Sequence, residues 1–284
     1  MKKHFLSFIV CIVLFASCDT NEPTNKKNIG IGKFSVSESK QVTFSPGNLQ
    51  YTQSTNTWSF AENQWDYIGT NNVIGGSASS DVSDLYEGGA ALADKVDLFG
   101  WSTSANNFGV STSTDYNDYS GSFVDWGTNK IGNDAPNTWR TLTADEWRHL
   151  RDGRPNASSL IGVARVNGVN GLILLPDDWP YPVDIIFKSG FQEHYNADND
   201  YAVYQTFNAA QWSKLEAAGA VFLPAAGIRE KGTNLFRVQD GGYYWSSTEY
   251  DSDEARGFCF ESDGRYMDYS ERFYGMSVRL VKDL

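Results

Sequence analysis

Residues 243–281 have the sequence YYWSSTEYDSDEARGFCFESDGRYMDYSERFYGMSVRLV, and this stretch decides the expected architecture. Ten of its residues are aromatic, and acidic and basic side chains are interleaved among them. Such a mixture is typical neither of a plain core segment nor of a plain solvated loop. Rigid aromatic rings supply contact area at low entropic cost, and arginines and carboxylates supply orientation. We therefore interpret the rest of the chain as a scaffold that presents this segment.

A β-hairpin is expected inside this stretch, because Asp263-Gly264 is typical of a type I′ turn. Folding the chain about that turn places Phe258 opposite Tyr269 and Phe260 opposite Met267. Successive side chains of a strand point to opposite faces, so this register separates an apolar face from a polar one. The polar face carries Cys259, Glu261, Tyr266 and Asp268. We expect that face to be free for contact with a ligand.

The N-terminus has the pattern of a lipoprotein signal peptide. Two lysines precede a short apolar run, FLSFIVCIVLFA at residues 5–16, which is too short to span a bilayer permanently. Small residues then precede Cys18, as in a bacterial lipobox, so residues 1–17 are expected to be removed and Cys18 acylated. Residues 18–29 are polar and unpatterned, and we interpret them as a flexible tether. The chain would be lipid-anchored in the cell envelope, in the outer membrane and exposed at the surface.

Charge and cysteine content restrict the partners. The chain of 284 residues has a formal net charge of −12, which argues against nucleic acid as a partner. Of its three cysteines, Cys11 leaves with the signal peptide and Cys18 is the lipid site. Cys259 alone remains, so no intrachain disulfide framework is expected.

The remaining pattern predicts an α+β fold, with a mixed, mainly antiparallel sheet, two flanking helices and long irregular loops. Strand-like alternation from 34 to 60 predicts an antiparallel meander, and residues 70–137 are irregular but rich in aromatic residues. Thr143 and Asn208 each begin a helix with a capping box, completed by Glu146 and Gln211. Between the helices, Asn167-Gly168 predicts a tight hairpin of residues 161–175. Residues 220–223 form a short strand that Pro224 ends. We assign residues 30–284 to a single domain.

Several motifs of this chain resemble a known family. Residues 245–249 (WSSTE), a glycine-turn hairpin and residues 277–281 (SVRLV) resemble the Fibrobacter succinogenes major paralogous domain family, as do residues 138–147 and 218–227. That family has a C-type lectin-like fold of the formylglycine-generating-enzyme type. The resemblance implies two helices beside a mixed sheet, with ligand contacts at the C-terminal strands and loops.

The same segment resembles the variable region of proteins diversified by retroelements in gut bacteria. In those proteins, framework positions alternate with positions that vary among relatives. On this resemblance residues 250–273 would vary, whereas the framework would comprise Trp245, Ala255, Phe260, Gly264 and Arg279.

Enzymatic and metal sites are weakly indicated. Formylglycine generation needs a reactive cysteine pair, and Cys259 alone remains in the mature chain. The Asn196–Asp200 stretch begins like a calcium loop, but Tyr201 stands where glycine is required and Phe207 where glutamate is required. His149 and His194 lack any motif partner. We predict no catalytic site, no metal and no cofactor, although a pair of glycosidase carboxylates stays an open alternative.

These observations predict a non-catalytic, membrane-anchored protein whose C-terminal hairpin region binds an extracellular glycan or protein. A divergent enzyme of the formylglycine-generating-enzyme fold, or one acting on carbohydrates, is the first alternative. A structural envelope or adhesin component is the second. The expected ligand contacts are Tyr250, Asp251, Asp253, Glu261, Arg265, Tyr266, Asp268, Arg272 and Tyr274.

Overall fold

A computed structural model describes residues 31–69, 79–80, 94–180, 184–192, 201–230 and 234–284. The expected signal peptide of residues 1–17, the lipid site at Cys18 and the tether of residues 18–29 lie outside these described residues. His194 and the acidic pair Asp198 and Asp200 lie outside them as well. Within the described residues, no helix combines the length and the apolar character needed to cross a membrane.

A five-stranded sheet carries the C-terminal stretch. Its strand order is β16-β15-β14-β17-β7, and its pairings are antiparallel except for that of β14 with β17. The five strands are β7 (Leu98–Phe99), β14 (Gly242–Glu249), β15 (Glu254–Glu261), β16 (Gly264–Glu271) and β17 (Met276–Ser277). β14 is central, so β15 and β16 extend from it as a long hairpin ending at the edge of the sheet.

A second sheet of four strands has the order β10-β8-β9-β11. Its strands are β8 (Ile161–Val166), β9 (Val169–Leu174), β10 (Thr206–Phe207) and β11 (Val221–Pro224). β8 and β9 form the hairpin that the sequence predicts, and both turn residues have positive φ, 49° at Asn167 and 86° at Gly168. These angles are those of a type I′ turn, so the hairpin prediction is confirmed.

Three small sheets complete the strand structure of the described residues. The first contains β1 (Phe34–Ser35), β2 (Gln41–Phe44) and β18 (Val281–Asp283). The second contains β3 (Leu49–Thr52), β4 (Thr57–Phe60) and β6 (Lys95–Val96). The third contains β5 (Ser79–Ser80), β12 (Ile228–Glu230) and β13 (Asn234–Phe236). The predicted meander over residues 34–60 is wrong, because β2 and β3 belong to different sheets. β2 pairs with the C-terminal strand β18 instead, and alternation within single strands carries no information about that long-range pairing.

Both predicted helices are present. α1 (Ala144–Arg148) continues into a single π-helical turn at His149–Gly153, and α3 (Ala209–Ala217) begins after Asn208. Each N-cap side chain accepts a hydrogen bond from the third helical N–H, and the Glu146 or Gln211 side chain accepts one from the cap N–H in return. Both capping boxes are therefore confirmed. A further helical turn, α2 (Tyr201–Tyr204), was not predicted.

The buried residues form three apolar clusters. The first lies between α1 and one face of β14 and β15, and the second lies on the opposite face of these strands. The third surrounds α3 and the β8–β9 hairpin. The described part of the irregular segment, residues 94–137, contributes Phe99, Trp101, Tyr119 and Trp126, each at most 1% exposed, so this part is fixed to the domain as the sequence predicts. The fold is α+β with mainly antiparallel sheets.

A buried polar chain joins the C-terminal segment to α3. Arg279 is 1% exposed, and its Nη2 donates to Gln64 Oε1 at 2.6 Å. The amide nitrogen of the same glutamine donates to Glu216 Oε1 at 3.0 Å. Removal from water lowers the pKa of Arg279 to about 10. Arg279 is therefore part of the buried framework, where a polar group must be hydrogen-bonded.

Candidate functional site

The β15–β16 hairpin differs from the predicted one in register. Phe258 pairs with Met267 and Glu261 pairs with Gly264, so the two turn residues are Ser262 and Asp263. None of the residues 262–264 has positive φ, which excludes the expected type I′ turn at Asp263-Gly264. Relative to the prediction, the turn begins one residue earlier, and each β15 residue pairs with a β16 residue two positions earlier, so that Phe258 faces Met267 instead of Tyr269. Because side chains alternate with a period of two, every predicted face assignment survives this displacement.

The predicted polar face is covered over part of its length. Cys259, on that face, is 2% exposed and packs in the second apolar cluster beside Tyr243 and Trp245. Burial raises the pKa of the Cys259 thiol well above its usual range. The expectation that this whole face is free for contact is therefore wrong. The error arises because the hairpin lies beside β14 in a sheet whose two faces are both packed.

A stack of two tyrosines lies where β14 turns into β15. The rings of Tyr250 and Tyr269 are parallel within 6° and 4.2 Å apart, and the two residues are 44% and 46% exposed. The Arg256 guanidinium lies 4.8 Å from the centre of the Tyr250 ring. Each ring is fixed by its neighbour while the outside of the stack contacts solvent, an arrangement suited to recognition.

Carboxylates surround this stack. We call the whole surface the tip patch, and it comprises Tyr250, Asp251, Asp253, Glu254, Tyr269 and Glu271. Glu254 lies directly opposite Glu271 in the strand register. Partial burial, together with the negative charges of Asp251, Glu271 and Asp253, raises the pKa of Glu254. Like charges directly opposite each other destabilise a strand pair, so the tip patch holds negative charge at a cost in stability.

Arg272, an expected ligand contact, is buried beneath the tip patch. It is 3% exposed, and its guanidinium donates to the carbonyl oxygens of Gly121 and Asp251 and to the Glu249 carboxylate. The side chain therefore offers almost no surface to a ligand. Its structural role is to fix the β14–β15 turn to the irregular segment. The sequence could not distinguish the two roles, because a buried and an exposed arginine have the same local pattern.

Two predicted contacts, Glu261 and Tyr266, lie in a second cluster together with Arg237 and Tyr243, which the sequence did not predict. Oε1 of Glu261 accepts hydrogen bonds from Arg237 Nη1 at 2.9 Å, Tyr243 Oη at 3.2 Å and Tyr266 Oη at 3.4 Å. Arg237 Nη1 also contacts an Asp240 carboxylate oxygen at 3.4 Å, and Arg237 has a φ of 55°. Left-handed backbone is rare for a long side chain, so the cluster imposes this geometry. Tyr266 is 37% exposed.

The remaining predicted contacts are dispersed. Arg265 packs its guanidinium 4.9 Å from the Phe191 ring and contacts Asp152 at 3.4 Å, on the face that α1 covers. Asp268 is exposed on the other face, and its carboxylate accepts from the N–H of Tyr269. Tyr274 is half-buried against the second apolar cluster. The Glu254 and Glu261 ends of β15 are about 23 Å apart at 3.3 Å per residue, so the predicted set forms two separate surfaces.

An open groove that the sequence did not predict lies beside the tip patch. We call it the bulge groove. It has a volume of about 480 Å³ and is lined by Trp101, Ser122, Phe123, Thr143, Ser247, Thr248 and Glu249. Three parts of the chain meet there: the irregular segment, the cap of α1 and the end of β14. The one available signal was the polar run Ser247-Thr248-Glu249, which is unusual for a central strand.

The groove exists because β14 bulges. Trp245 pairs with Gly257 whereas Glu249 pairs with Ala255, so four residue steps on β14 pass two on β15. A bulge redirects side chains and bends the strand. Here the bulged residues Ser247 and Thr248 bond to Leu142 and Ala144 at the start of α1, and the pairing with β15 resumes at Glu249.

Metal binding finds no geometric support among the described residues. No group of three or more histidine, cysteine or acidic side chains there is arranged to hold a metal ion. The carboxylates of Asp240 and Glu261 both contact Arg237 Nη1. Oε1 of Glu261 already accepts hydrogen bonds from three donors. Burial raises the pKa of Asp240.

Comparison with known proteins gives one partial match. A family model described as a domain of unknown function, DUF8237, matches residues 188–281. The matched span contains β14, β15 and β16, and therefore both the tip patch and the cluster around Glu261. No curated protein and no solved structure matches the chain.

Proposed function

We propose that this chain is a non-catalytic binding lipoprotein of the bacterial cell envelope. It is anchored in the outer membrane through acylated Cys18 and presents the domain of residues 30–284 to an extracellular glycan or protein. The signal-peptide pattern supports the anchor. The tip patch supports the binding function. A ligand would contact Tyr250, Asp251 and Asp253 there, together with Tyr269.

The stack of Tyr250 on Tyr269 is the observation that carries this proposal. Two tyrosines close to half exposed are stacked at the end of a long hairpin, so their rings are ordered before a ligand arrives. Pre-ordered aromatic rings bind at a low entropic cost. Arg272 orders the backbone beneath them, because it is buried and donates to the carbonyl oxygen of Asp251. This combination of a rigid base and exposed rings is suited to binding rather than to core packing.

A C-type lectin-like fold is part of the proposal. Two capped helices, α1 and α3, accompany mainly antiparallel sheets, as the family resemblance implied. The exposed aromatic residues lie on the C-terminal strands and their connecting turn, where the family resemblance places ligand contacts.

Sequence diversification of the tip is compatible with this arrangement. Four of the five framework positions, Trp245, Ala255, Phe260 and Arg279, are each at most 1% exposed, whereas Gly264 is only half-buried and residues 250–253 are exposed. Substitutions in that turn would alter the binding surface without disturbing the core. Comparison of the 3′ end of this gene among sibling strains tests the idea, and uniform identity over residues 250–273 would count against it.

The binding function is tested with the full chain on a glycan array and in a pull-down of extracellular proteins. Wild type should retain a ligand, and a Tyr250→Ala, Tyr269→Ala double variant should lose at least about tenfold in affinity, equivalent to the loss of about 1.4 kcal/mol. Ile186→Ala is the control, because Ile186 is 90% exposed and lies outside the C-terminal hairpin. If wild type retains nothing, or if the double variant binds as well as wild type, the tip patch is not the binding surface.

A further inference from the structure

The bulge groove is an open depression whose volume and polar lining can accept a small ligand. Its volume of about 480 Å³ falls within the usual range for such sites, roughly 300–1,000 Å³. Hydroxyl groups line it from three separate parts of the chain, at Ser122, Thr143, Ser247 and Thr248. One carboxylate, Glu249, stands at its edge and is exposed. Polar groups that converge from distant parts of the sequence are the pattern by which a pocket orients a polar ligand.

The wall contributed by β14 is rigid. The Ser246 hydroxyl donates to the carbonyl oxygen of Arg256 at 2.7 Å and accepts from the N–H of Thr248 at 3.2 Å. The Thr248 hydroxyl accepts from the N–H of Ala144 at 3.0 Å. The N–H of Ser247 donates to the carbonyl oxygen of Leu142 at 2.9 Å. These bonds hold the bulge before any ligand binds, which lowers the entropic cost of binding.

The aromatic side of the groove is also fixed. The Phe123 ring lies 5.1 Å from the Trp101 ring and is partly exposed, whereas Trp101 is 1% exposed. The Trp101 indole N–H donates to the carbonyl oxygen of Ser246 at 2.9 Å, so this wall is bonded to the bulge. A partly exposed ring beside hydroxyl groups suits a molecule that has both C–H faces and hydroxyl groups.

Charge restricts the ligand further. Glu249 continues directly into the tip patch, where four carboxylates, of Asp251, Asp253, Glu254 and Glu271, outnumber the single guanidinium of Arg256 on the Tyr250 ring. The Arg272 guanidinium faces Glu249 at 3.3 Å, but it is buried beneath the surface and bonded to carbonyl oxygens. An anionic ligand would enter against this field, whereas a neutral ligand would not.

We infer that the bulge groove binds a neutral saccharide unit, with Phe123 packing against the sugar ring and with Ser122, Ser247 and Glu249 bonding its hydroxyl groups. This inference rests on the proposed binding function and names both the ligand class and a second contact surface. Serine hydroxyls both donate and accept, and a carboxylate accepts from sugar hydroxyls in charge-assisted bonds. The carboxylates beside the groove disfavour acidic sugars.

The experiment titrates the isotope-labelled full chain with four methyl glycosides, followed by NMR. Three are neutral, derived from glucose, galactose and N-acetylglucosamine, and one is a glucuronide of the same size. At least one neutral glycoside should shift the amide signals of Ser122, Ser247 and Thr248, and the glucuronide should not. Glu249→Gln should weaken that binding about tenfold, the loss of about one charge-assisted hydrogen bond. Ser122→Trp should abolish it by filling the groove.

Matched controls are available elsewhere on the surface. Ser158→Trp places the same bulk at an exposed serine outside the groove, and Glu62→Gln removes the same charge from an exposed glutamate after β4. Both should bind the glycoside like wild type. Ser122 is exposed, so its replacement by tryptophan should leave the fold intact. Thermal unfolding of each variant identifies any that is misfolded. If Ser122→Trp is misfolded, the result with Glu249→Gln decides.

The outcomes separate the two proposals. If the full chain binds an array ligand through Tyr250 and Tyr269 while no neutral glycoside shifts the groove signals, the groove inference is wrong and the binding function stands. The inference is also wrong if the glucuronide binds as tightly as the neutral glycosides, or if Glu249→Gln and Ser122→Trp bind normally. If the neutral glycosides bind at the groove but the tip variants retain every ligand, the saccharide site stands and the tip patch loses its role.

Discussion

The Arg272 guanidinium lies 4.4 Å from the centre of the Trp101 ring, and the two residues are 3% and 1% exposed. This contact joins the end of the C-terminal hairpin to the irregular segment. The backbone reinforces it, since the N–H of Trp101 donates to the carbonyl oxygen of Arg272 at 2.7 Å. The tip patch and the bulge groove therefore share one buried support. Binding at either surface depends on a contact that neither surface exposes.

Replacing Arg272 should reveal this support. Arg272→Ala leaves the carbonyl oxygens of Gly121 and Asp251 without their buried donor and removes the packing on Trp101. We expect a loss of about 2–4 kcal/mol in the free energy of unfolding. Arg256→Ala is the control, because the partly exposed Arg256 guanidinium packs on the exposed Tyr250 ring, and its loss should cost below about 1 kcal/mol. Urea unfolding measures both. Equal effects would mean that the buried contacts of Arg272 stabilise the fold no more than a surface contact does.

Acid should weaken the cap of α1. Burial opposes ionisation of Glu146, but its two bonds from Arg140 and one from the N–H of Thr143 prevail and lower its pKa. This contribution to stability is present above the unfolded pKa, 4.5, and is lost as the pH falls through the lower folded pKa. Glu146→Gln keeps an acceptor for the cap N–H but loses the charge. At pH 7 we expect it to be about 1 kcal/mol less stable than wild type.

Unfolding curves at pH 7, 5, 4 and 3 measure this difference between the Glu146→Gln variant and wild type. The difference should shrink as the pH falls below 4.5, because protonated Glu146 and glutamine are then both neutral. Asp145→Asn is the control, since the Asp145 side chain is 89% exposed and should give a small difference. A gap that is constant over the whole pH range would show that the charge of Glu146 does not stabilise the fold.

The contribution of the tip patch to stability should depend on pH in the opposite direction, falling as the pH rises. Partial burial and the neighbouring carboxylates raise the pKa of Glu254, so its protonated form is favoured in the folded state. The stability from that form is fully present below the unfolded pKa, 4.5, and is lost as the pH rises through the folded pKa. Glu254→Gln should therefore stabilise the fold at pH 7 by a few tenths of a kcal/mol, an amount typical of cross-strand pairs. Below pH 4.5 the gain should vanish.

A double-mutant cycle tests whether this gain in stability comes from relieving the repulsion between Glu254 and Glu271. Glu271 lies directly opposite Glu254, so Glu271→Gln should give a similar gain at pH 7. The double variant should gain less than the sum of both, because either substitution relieves the same repulsion. Strict additivity would place the repulsion elsewhere in the tip patch.

The parts of the fold that the sequence predicted are those set by short-range chemistry. The caps at Thr143 and Asn208 bond to groups three residues away, and the Asn167-Gly168 turn is specified by two adjacent residues. The faces of the β15–β16 hairpin were correct because alternation is a local property, even though the turn was displaced by one residue. The pairing of β2 with β18 was not predictable, because it joins the two ends of the domain.

In the candidate site, too, the features set by local sequence were predicted and those set by long-range packing were not. Tyr250 and Asp251 follow a strand and precede a turn, so their exposure follows from local pattern. The burial of Arg272 and Cys259 depends on the irregular segment and on the second apolar cluster, which pack from distant parts of the chain. The bulge groove was missed for the same reason. Ser122, Thr143 and Ser247 have nothing in common in the sequence and meet only because β14 bulges.

Two glycines with positive φ offer a final test of how tightly the irregular segment is packed. Gly109 has a φ of 71°, and an added Cβ would lie 1.8 Å from the carbonyl oxygen of Gly100. Gly168 has a φ of 86°, and an added Cβ there would meet nothing within 4 Å. Gly168→Ala should therefore cost about 1 kcal/mol, the strain of left-handed backbone alone. Gly109→Ala adds a backbone clash and should cost roughly 3 kcal/mol or more.

Urea unfolding of both variants measures the contrast, with the slope of the transition as a check that the denatured state is unchanged. The N–H of Gly100 donates to the carbonyl oxygen of Gly109 at 2.8 Å, so the clash would separate two strands of backbone that are directly bonded. Trp101 follows Gly100 and supports Arg272, so Gly109→Ala should also weaken ligand binding at the tip patch while Gly168→Ala leaves it intact. Equal stability of the two variants would mean that the irregular segment yields easily, and Arg272 would then lack a rigid partner.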